Sequence, residues 1–168
     1  MITIDELNSF SRDRFVATIG WVFEHSPWVA ERAWERRPFP DLEHLHAAMT
    51  GEVEQATQDQ QLALLRAHPD LGTRVRMSAA SEGEQSGAGL DRLRPDEFER
   101  LLQRNAAYRE KFGFPFLYAV KGSNKYDILQ ALDQRLGAAP AEEFRQALNQ
   151  VYRIALFRLQ GAITEAVP

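Results

Sequence analysis

Apolar residues recur at three- and four-residue spacing along nearly the whole chain, and this spacing constrains the fold more than any other feature. The last segment shows it clearly, with Phe144, Ala147, Leu148, Val151 and Ile154 in register. Such a period places the apolar side chains on one face of an α-helix, which must pack against other helices to leave water. No second strand-like segment is present to pair into a sheet. The sequence therefore predicts an all-α, single-domain compact bundle of about eight to nine helices over residues 1–168.

Composition and charge exclude several classes of protein. The chain has 168 residues, 44% of them hydrophobic, and a net charge of -4, which does not favour a nucleic-acid or anionic-membrane partner. The absence of cysteine rules out disulfides, thiolate nucleophiles and iron–sulfur clusters. No apolar run approaches the roughly 18 residues that span a bilayer. Neither terminus resembles a signal peptide or a peroxisomal signal, so we expect a soluble cytoplasmic protein.

The helical pattern stops abruptly at residues 67–72. Pro69 disfavours helical dihedral angles in the residue before it, so His68 should lie just beyond the C-terminal end of a helix. The negative end of the helix dipole favours the protonated imidazole there, and histidine titrates near neutral pH. Gly72 allows the chain to change direction. The stretch is either a plain helix stop with an exposed histidine or a stiff corner that presents an acid/base group.

Residues 73–89 are small, polar and rich in glycine, with little apolar stripe to hold a helix against a core. Helical spacing would bring Ser81, Glu84 and Gln85 near one another, because they are three and four residues apart. A hydroxyl, a carboxylate and an amide together suit a urea-like or amide-like ligand. The same Ser-x-x-Glu spacing is that of a helix capping box, and this structural interpretation stays open.

Arg158 continues the apolar face of the last helix, since it follows Ile154 by four residues and Ala155 by three. An inward-pointing guanidinium requires an anion or a hydrogen-bonding partner. A structural interpretation is a salt bridge to a buried Asp or Glu, or a stem that covers the core while the head reaches water. The functional interpretation is an arginine that binds charged or carbonyl groups of a substrate.

The apolar segment Phe114–Val120 lies between Gly113 and Gly122 and contains a proline, so it is predicted to be extended. Without a partner strand its backbone polar groups need other hydrogen-bonding partners, and a bound ligand is one candidate.

Other motifs do not support a site. His44 and His46 would lie on different faces of a helix, so no metal site is expected and both are predicted to be surface residues. Residues 87–89 do not follow a strand, which removes a dinucleotide-binding interpretation. Residues 121–125 lack the spacing of a phosphate-binding loop, and no Gly-x-Ser-x-Gly hydrolase signature occurs.

Three motifs follow one another along the chain, and the last helix adds a fourth group. They are His68–Gly72, Ser81–Gln85 with Ala88–Leu90, Phe112–Phe116, and Val151–Ile154 with Arg158–Leu159. In this order and spacing they resemble the family of 2-oxo-4-hydroxy-4-carboxy-5-ureidoimidazoline (OHCU) decarboxylases, over essentially the whole chain.

The resemblance implies an all-helical carboxy-lyase that needs no cofactor and converts OHCU to (S)-allantoin and carbon dioxide in urate and purine breakdown. It implies His68 as the catalytic acid/base, with Glu84 and Arg158 as further catalytic residues. The residues that it implies in substrate binding are Pro69, Ser81, Glu82, Gly83, Glu84, Gln85, Phe116, Leu117, Tyr118, Ala119 and Val120. The bulky Tyr118 is the one departure noted, and it matters little if the contact there is made by the backbone.

Two other functions stay open from the sequence. One is a non-catalytic helical interaction module, in which a protein partner orders residues 73–89. The other is a hydrolase of a ureido compound, in which Glu84 activates water and ammonia rather than carbon dioxide is released. We expect a small-molecule substrate and neither nucleic acid nor membrane as a partner, and a homodimer is an assembly that the sequence leaves open.

Overall fold

The computed structural model describes residues 1–72 and 78–165. Residues 73–77, the first part of the polar region 73–89, lie outside the described residues. Residues 166–168 at the C-terminus, where a targeting signal was expected to be absent, also lie outside them. Within the described ranges nine α-helices form, which confirms the all-α prediction. They are α1 (Ile4–Asn8), α2 (Arg12–Ile19), α3 (Trp28–Ala33), α4 (Leu42–Gln55), α5 (Gln58–Arg66), α6 (Ala79–Gly87), α7 (Pro95–Phe112), α8 (Lys125–Arg135) and α9 (Pro140–Ala162). Single 3₁₀ turns occupy Gly20–Val22 and Trp34–Arg36.

The described residues also form a two-stranded sheet, which the sequence patterns did not predict. Strand β1 (Ile2–Thr3) pairs in parallel with β2 (Ile163–Thr164), so that Ile2 lies opposite Ile163 and Thr3 opposite Thr164. Strands of two residues are too short to show an alternating pattern, which explains why the sequence did not reveal them.

The chain divides into two compact units. The first consists of Met1–Ala67 together with the chain from Tyr152 onward, and the second consists of His68–Val151. Helix α9 contributes residues to both. The single domain over residues 1–168 stays a prediction. Among the described residues, no helix combines the length and the apolar character needed to cross a membrane.

In the first unit, polar side chains cap the N-termini of several helices. The side chains of Thr3, Ser11, Asp41 and Thr57 each accept a backbone N–H in the first turn of the helix that follows. Such a cap satisfies a donor that has no partner within the helix. The capped helices bury their apolar faces in a shared core that includes Phe15, Ile19, Leu45 and Met49.

In the second unit, an aromatic cluster lies between long helices. Tyr108 of α7 contacts Phe112, Phe114 and Phe116, with ring centroids 4.5, 6.0 and 5.4 Å away. Helix α7 ends at Gly113, which adopts φ +80°, a conformation that glycine accepts at little cost. The chain then continues as the irregular segment Phe114–Val120, which is not part of a sheet.

Candidate active site

His68 lies where the sequence predicts it, directly after the end of a helix. Helix α5 ends at Arg66, and Ala67 caps it through backbone hydrogen bonds. The His68 side chain is not on the surface, since only 6% of the residue is exposed. The alternative of an exposed histidine at a plain helix stop is therefore wrong. A buried imidazole at the end of a helix is a group whose protonation depends on its immediate neighbours.

The turn that follows His68 is held by side chains from two helices. The backbone N–H of Gly72 donates to Oε1 of Gln85 in α6 at 2.8 Å, and Nδ2 of Asn105 in α7 donates to the carbonyl of Leu71 at 2.9 Å. Both contacts are buried, so they are worth more to the structure than the same contacts in water. The turn is thereby fixed to α6 and α7.

Gly72 is required in this turn for two reasons. Its φ of +72° lies in the left-handed region that side chains rarely adopt. A Cβ atom added there would also come within 2.3 Å of Cδ2 of Leu101. Any other residue would strain the turn that positions His68.

Helix α6 places part of the predicted ligand set on one face. Ser81 and Gln85 are buried, and Glu84 is half-buried, as expected from their spacing. Glu82 and Gly83 are exposed on the other side of the helix. Of the five residues Ser81–Gln85, only three therefore share a buried face.

The capping-box interpretation of Ser81 and Glu84 is wrong. Helix α6 starts earlier, with Ser78 as its cap, and the Ser78 hydroxyl accepts the backbone N–H of Ser81 at 3.1 Å. Ser81 thus lies inside the helix, and its buried hydroxyl requires a different explanation.

Arg158 lies in the first unit and forms a buried ion pair that the sequence did not identify. Its Nη2 is 2.9 Å from Oε2 of Glu24, and the two side chains are 3% and 1% exposed. Its Nη1 also approaches the carbonyls of Val22 and Trp21, at 3.4 and 3.5 Å. The salt bridge that was one alternative for Arg158 is therefore present. A salt bridge does not test the catalytic role of Arg158.

The segment Phe114–Val120 obtains two of its backbone contacts from side chains of the second unit. Nη1 of Arg135 donates to the Leu117 carbonyl at 2.5 Å, and the Ala119 N–H donates to Oε1 of Gln150 at 2.9 Å. Tyr118 is half-buried, and its hydroxyl is 3.0 Å from the Ser123 hydroxyl. Side chains of the protein are therefore hydrogen-bonding partners for two of the backbone groups for which a ligand was one candidate partner.

Within the second unit, the contacts described above link the turn of His68 to Gln85 of α6. Gln85 binds the turn of His68 directly, whereas Arg158 belongs to the first unit. Pro69 follows His68 and is half-buried; Phe116, Leu117, Ala119 and Val120 are buried. The roles of all these residues stay predictions.

Sequence reasoning missed the residues that hold the site, namely Glu24, Asn105, Arg135 and Gln150. Asn105 carried a usable signal, because it is a polar residue in the apolar stripe of α7 and is buried. Buried polar side chains are nearly always hydrogen-bonded, so such a position predicts a specific partner. The other three partners are distant in sequence and left no comparable signal.

Metal binding has no support within the described ranges, where no group of three or more His, Asp or Glu residues could hold an ion. His44 is exposed and pairs with Asp41, with 2.7 Å between Nδ1 and Oδ1. His46 is half-buried, and its Nε2 is 2.8 Å from the Tyr152 carbonyl. The surface location predicted for both histidines therefore holds fully only for His44.

Comparison with known proteins places these observations in one family context. A family model described as OHCU decarboxylase matches residues 8–160. The chain is 46% identical over 159 residues to the 2-oxo-4-hydroxy-4-carboxy-5-ureidoimidazoline decarboxylase of Halalkalicoccus jeotgali, covering 95% of this chain and 90% of that protein.

Two longer proteins are also similar. The uric acid degradation bifunctional protein PucL of Bacillus subtilis is 48% identical over 165 residues, which cover 98% of this chain and 33% of PucL. A crystal structure of (S)-allantoin synthase matches with a TM-score of 0.80 and 34% identity, over 96% of this chain and 54% of that one. The chain thus spans about a third and about half of these two proteins.

Proposed function

The chain belongs to the OHCU decarboxylase family, and on that premise we propose that it converts OHCU to (S)-allantoin and carbon dioxide in urate breakdown. The observation that carries the proposal is the buried His68, placed after a helix end in a turn that Gln85 and Asn105 fix. A proton-transfer group must be held in one place to act on one face of a substrate.

The substrate itself supplies the electron sink for decarboxylation. Its carboxylate is attached to a carbon that bears a hydroxyl and adjoins a ring C=N bond. When carbon dioxide leaves, the bonding pair forms a new C=C bond, and the π electrons of the C=N bond move to nitrogen, which takes up a proton. The resulting enol loses its hydroxyl proton and gains a proton on carbon, which gives allantoin. No cofactor is needed for this sequence.

The protein's task is to move protons and to choose a face. We assign to His68 the transfer of the proton that becomes attached to carbon, a contribution of roughly 10²–10⁴-fold for such a group. Protonation from one face gives a single enantiomer, whereas uncatalysed decay should give both.

The face of α6 has the chemistry to bind the ureido arm. Glu84 accepts from N–H groups, and the Ser81 hydroxyl can donate or accept. Gln85 divides its amide between two tasks: its Oε1 binds Gly72, so its Nε2 is the atom available for a ligand carbonyl. This arrangement couples the ligand to the turn of His68.

Arg158 of the first unit and the apolar residues of the second unit each have a proposed role toward the substrate. Arg158, fixed by Glu24, would bind the ring or neutralise developing oxyanion charge. The buried side chains of Phe114, Phe116 and Leu117 would form an apolar wall that weakens solvation of the departing carboxylate.

The test is to add freshly prepared OHCU to the purified protein and to follow circular dichroism where allantoin absorbs, together with carbon dioxide release. The proposal predicts faster decay of OHCU than in a heat-inactivated sample and a dichroism signal of the (S) enantiomer. Decay at the uncatalysed rate with a racemic product would overturn it and favour the interaction module. Ammonia release without carbon dioxide would instead indicate the ureido hydrolase.

We further propose that the protein acts as a homodimer in the cytoplasm, with neither nucleic acid nor membrane as a partner. Exposed apolar side chains support self-association: Leu102 is 55% and Tyr126 61% exposed. Light scattering after size exclusion would give the mass of the assembly against 19.2 kDa for one chain. Cell fractionation of the native host would test the location.

A further inference from the structure

A polar network of Tyr108 on α7, Arg135 on α8 and Glu143 on α9 contacts the predicted substrate-binding segment Phe116–Val120 in the second unit. Gln150 on α9 contacts the same segment separately. None of them was implied in the reaction by the sequence motifs. Two of the four bind the backbone of the segment directly.

Glu143 is the centre of this network. Its side chain is 2% exposed, and it accepts hydrogen bonds from the Tyr108 hydroxyl and from Arg135, whose Nε is 2.5 Å from Oε1. Burial, and next the hydrogen bond to Glu143, raise the pKa of Tyr108, so the phenol stays a donor throughout the physiological range. The carboxylate is thereby compensated inside the protein, as a buried charge must be.

Arg135 connects this carboxylate to the segment. Besides its contact with Glu143, its Nη1 donates to the Leu117 carbonyl at 2.5 Å. The guanidinium also lies over the Phe116 ring, 4.5 Å from the centroid. A planar guanidinium with fixed donor directions can meet all three partners at once, which an ammonium group cannot.

Gln150 provides the second contact with the backbone of the segment, and this contact is independent of the ion pair between Arg135 and Glu143. The residue is 8% exposed, and its Oε1 accepts the Ala119 N–H at 2.9 Å. Leu117 and Ala119 are two residues apart, so the two attachments hold the backbone of the segment on either side of Tyr118.

We propose that Arg135 and Gln150 are positioning residues, which fix the backbone of Phe116–Val120 in the conformation that meets the substrate. The inference rests on the proposed function, since it assumes that this segment binds OHCU. It also explains how a bulky Tyr118 is tolerated, because the contact with the substrate is made by backbone and the Tyr118 hydroxyl contacts Ser123.

The main test is Gln150→Met, which keeps the length of the side chain and removes the acceptor for the Ala119 N–H. The matched control is Gln146→Met, one turn earlier on the same helix and exposed. We expect Gln150→Met to raise KM about tenfold and to leave kcat within about twofold, because the segment binds substrate and His68 is untouched. The control should match the wild type in both constants.

Two further variants separate positioning from folding. Gln150→Glu retains an acceptor oxygen in either protonation state and should recover most of the wild-type KM. Arg135→Lys keeps a cation for Glu143 but cannot also reach the Leu117 carbonyl, so it should raise KM as Gln150→Met does. If Gln150→Met does not fold, these two variants decide the matter.

The outcomes distinguish this inference from the proposed function. Wild-type turnover with equal KM in Gln150→Met, Arg135→Lys and the control would overturn the positioning role and leave the function intact. A loss of melting temperature without a change in KM would do the same, because that is the result of a purely structural role. Absence of turnover in the wild type would overturn both.

Discussion

Among residues 1–72 and 78–165, each unit contains an arginine paired with a buried glutamate, and the two pairs are built differently. In the first unit Arg158 pairs with Glu24; in the second Arg135 pairs with Glu143. Both carboxylates are almost completely inaccessible to solvent. The pairs nevertheless differ in what else each guanidinium contacts.

Arg135 contacts the backbone of the segment Phe114–Val120, since its Nη1 donates to the Leu117 carbonyl. Arg158 approaches the carbonyls of Val22 and Trp21 at only 3.4 and 3.5 Å, near the outer limit of a hydrogen bond. We infer that Arg135 holds the segment in place, whereas the pair with Glu24 holds Arg158, the arginine to which the family resemblance assigns a role in catalysis. The following variants test this division.

The largest expected effect is the loss of stability in Arg135→Met. The change leaves the Glu143 carboxylate buried without its cation, and breaking a buried pair in this way costs about 3–5 kcal/mol in the free energy of unfolding. Urea unfolding measures it. Arg92→Met is the control, because the Arg92 side chain is 80% exposed, and it should change stability by less than about 0.5 kcal/mol.

Arg158→Lys is expected to have a large effect on catalysis rather than on stability. The variant keeps a cation beside Glu24, so the fold should be retained. It loses the planar set of N–H donors of the guanidinium. We expect kcat/KM to fall about 10²-fold, the size associated with one oxyanion donor. Steady-state kinetics would reveal it. Unchanged kinetics would mean that the pair with Glu24 is purely structural and that the two pairs do not differ.

A smaller effect is expected from Tyr108→Phe, which removes one donor from Glu143. At neutral pH the variant should lose about 1–2 kcal/mol of stability. The raised pKa of Tyr108 adds a dependence on pH: above about pH 10 an unfolded tyrosine releases its proton, while the folded one keeps it. Wild-type stability should therefore fall more steeply than that of the variant above that pH.

Denaturant unfolding at several alkaline pH values, for the wild type and Tyr108→Phe, checks this prediction. Subtracting the two curves removes the contribution of the lysines, which both proteins share. Parallel curves would show that Tyr108 ionises normally in the folded state and that the Glu143 network is open to solvent.

Local rules of sequence were sufficient for the corner that holds His68. The helix before it, the stop at Pro69 and the left-handed Gly72 all follow from the conformational limits of neighbouring residues. What these rules could not give was the burial of His68, because burial depends on packing with parts of the chain that are distant in sequence.

The sequence could not predict which residues distant along the chain would interact with one another. The apolar stripe of the last helix indicated that Arg158 needs a buried partner, but nothing in the sequence around Glu24 distinguished it from the other acidic residues. The capping interpretation of Ser81 is wrong for a related reason: Ser78 and Ser81 are both suitable caps, and the choice between them depends on where the helix packs.

The central claim is that His68 transfers the proton that makes allantoin a single enantiomer, and His68→Asn tests it most directly. His44→Asn, at an exposed histidine, is the control. The account predicts a folded His68→Asn protein whose kcat falls by about 10²–10⁴-fold and whose product approaches a racemate, while the control matches the wild type. Formation of (S)-allantoin by His68→Asn at close to the wild-type rate would contradict it.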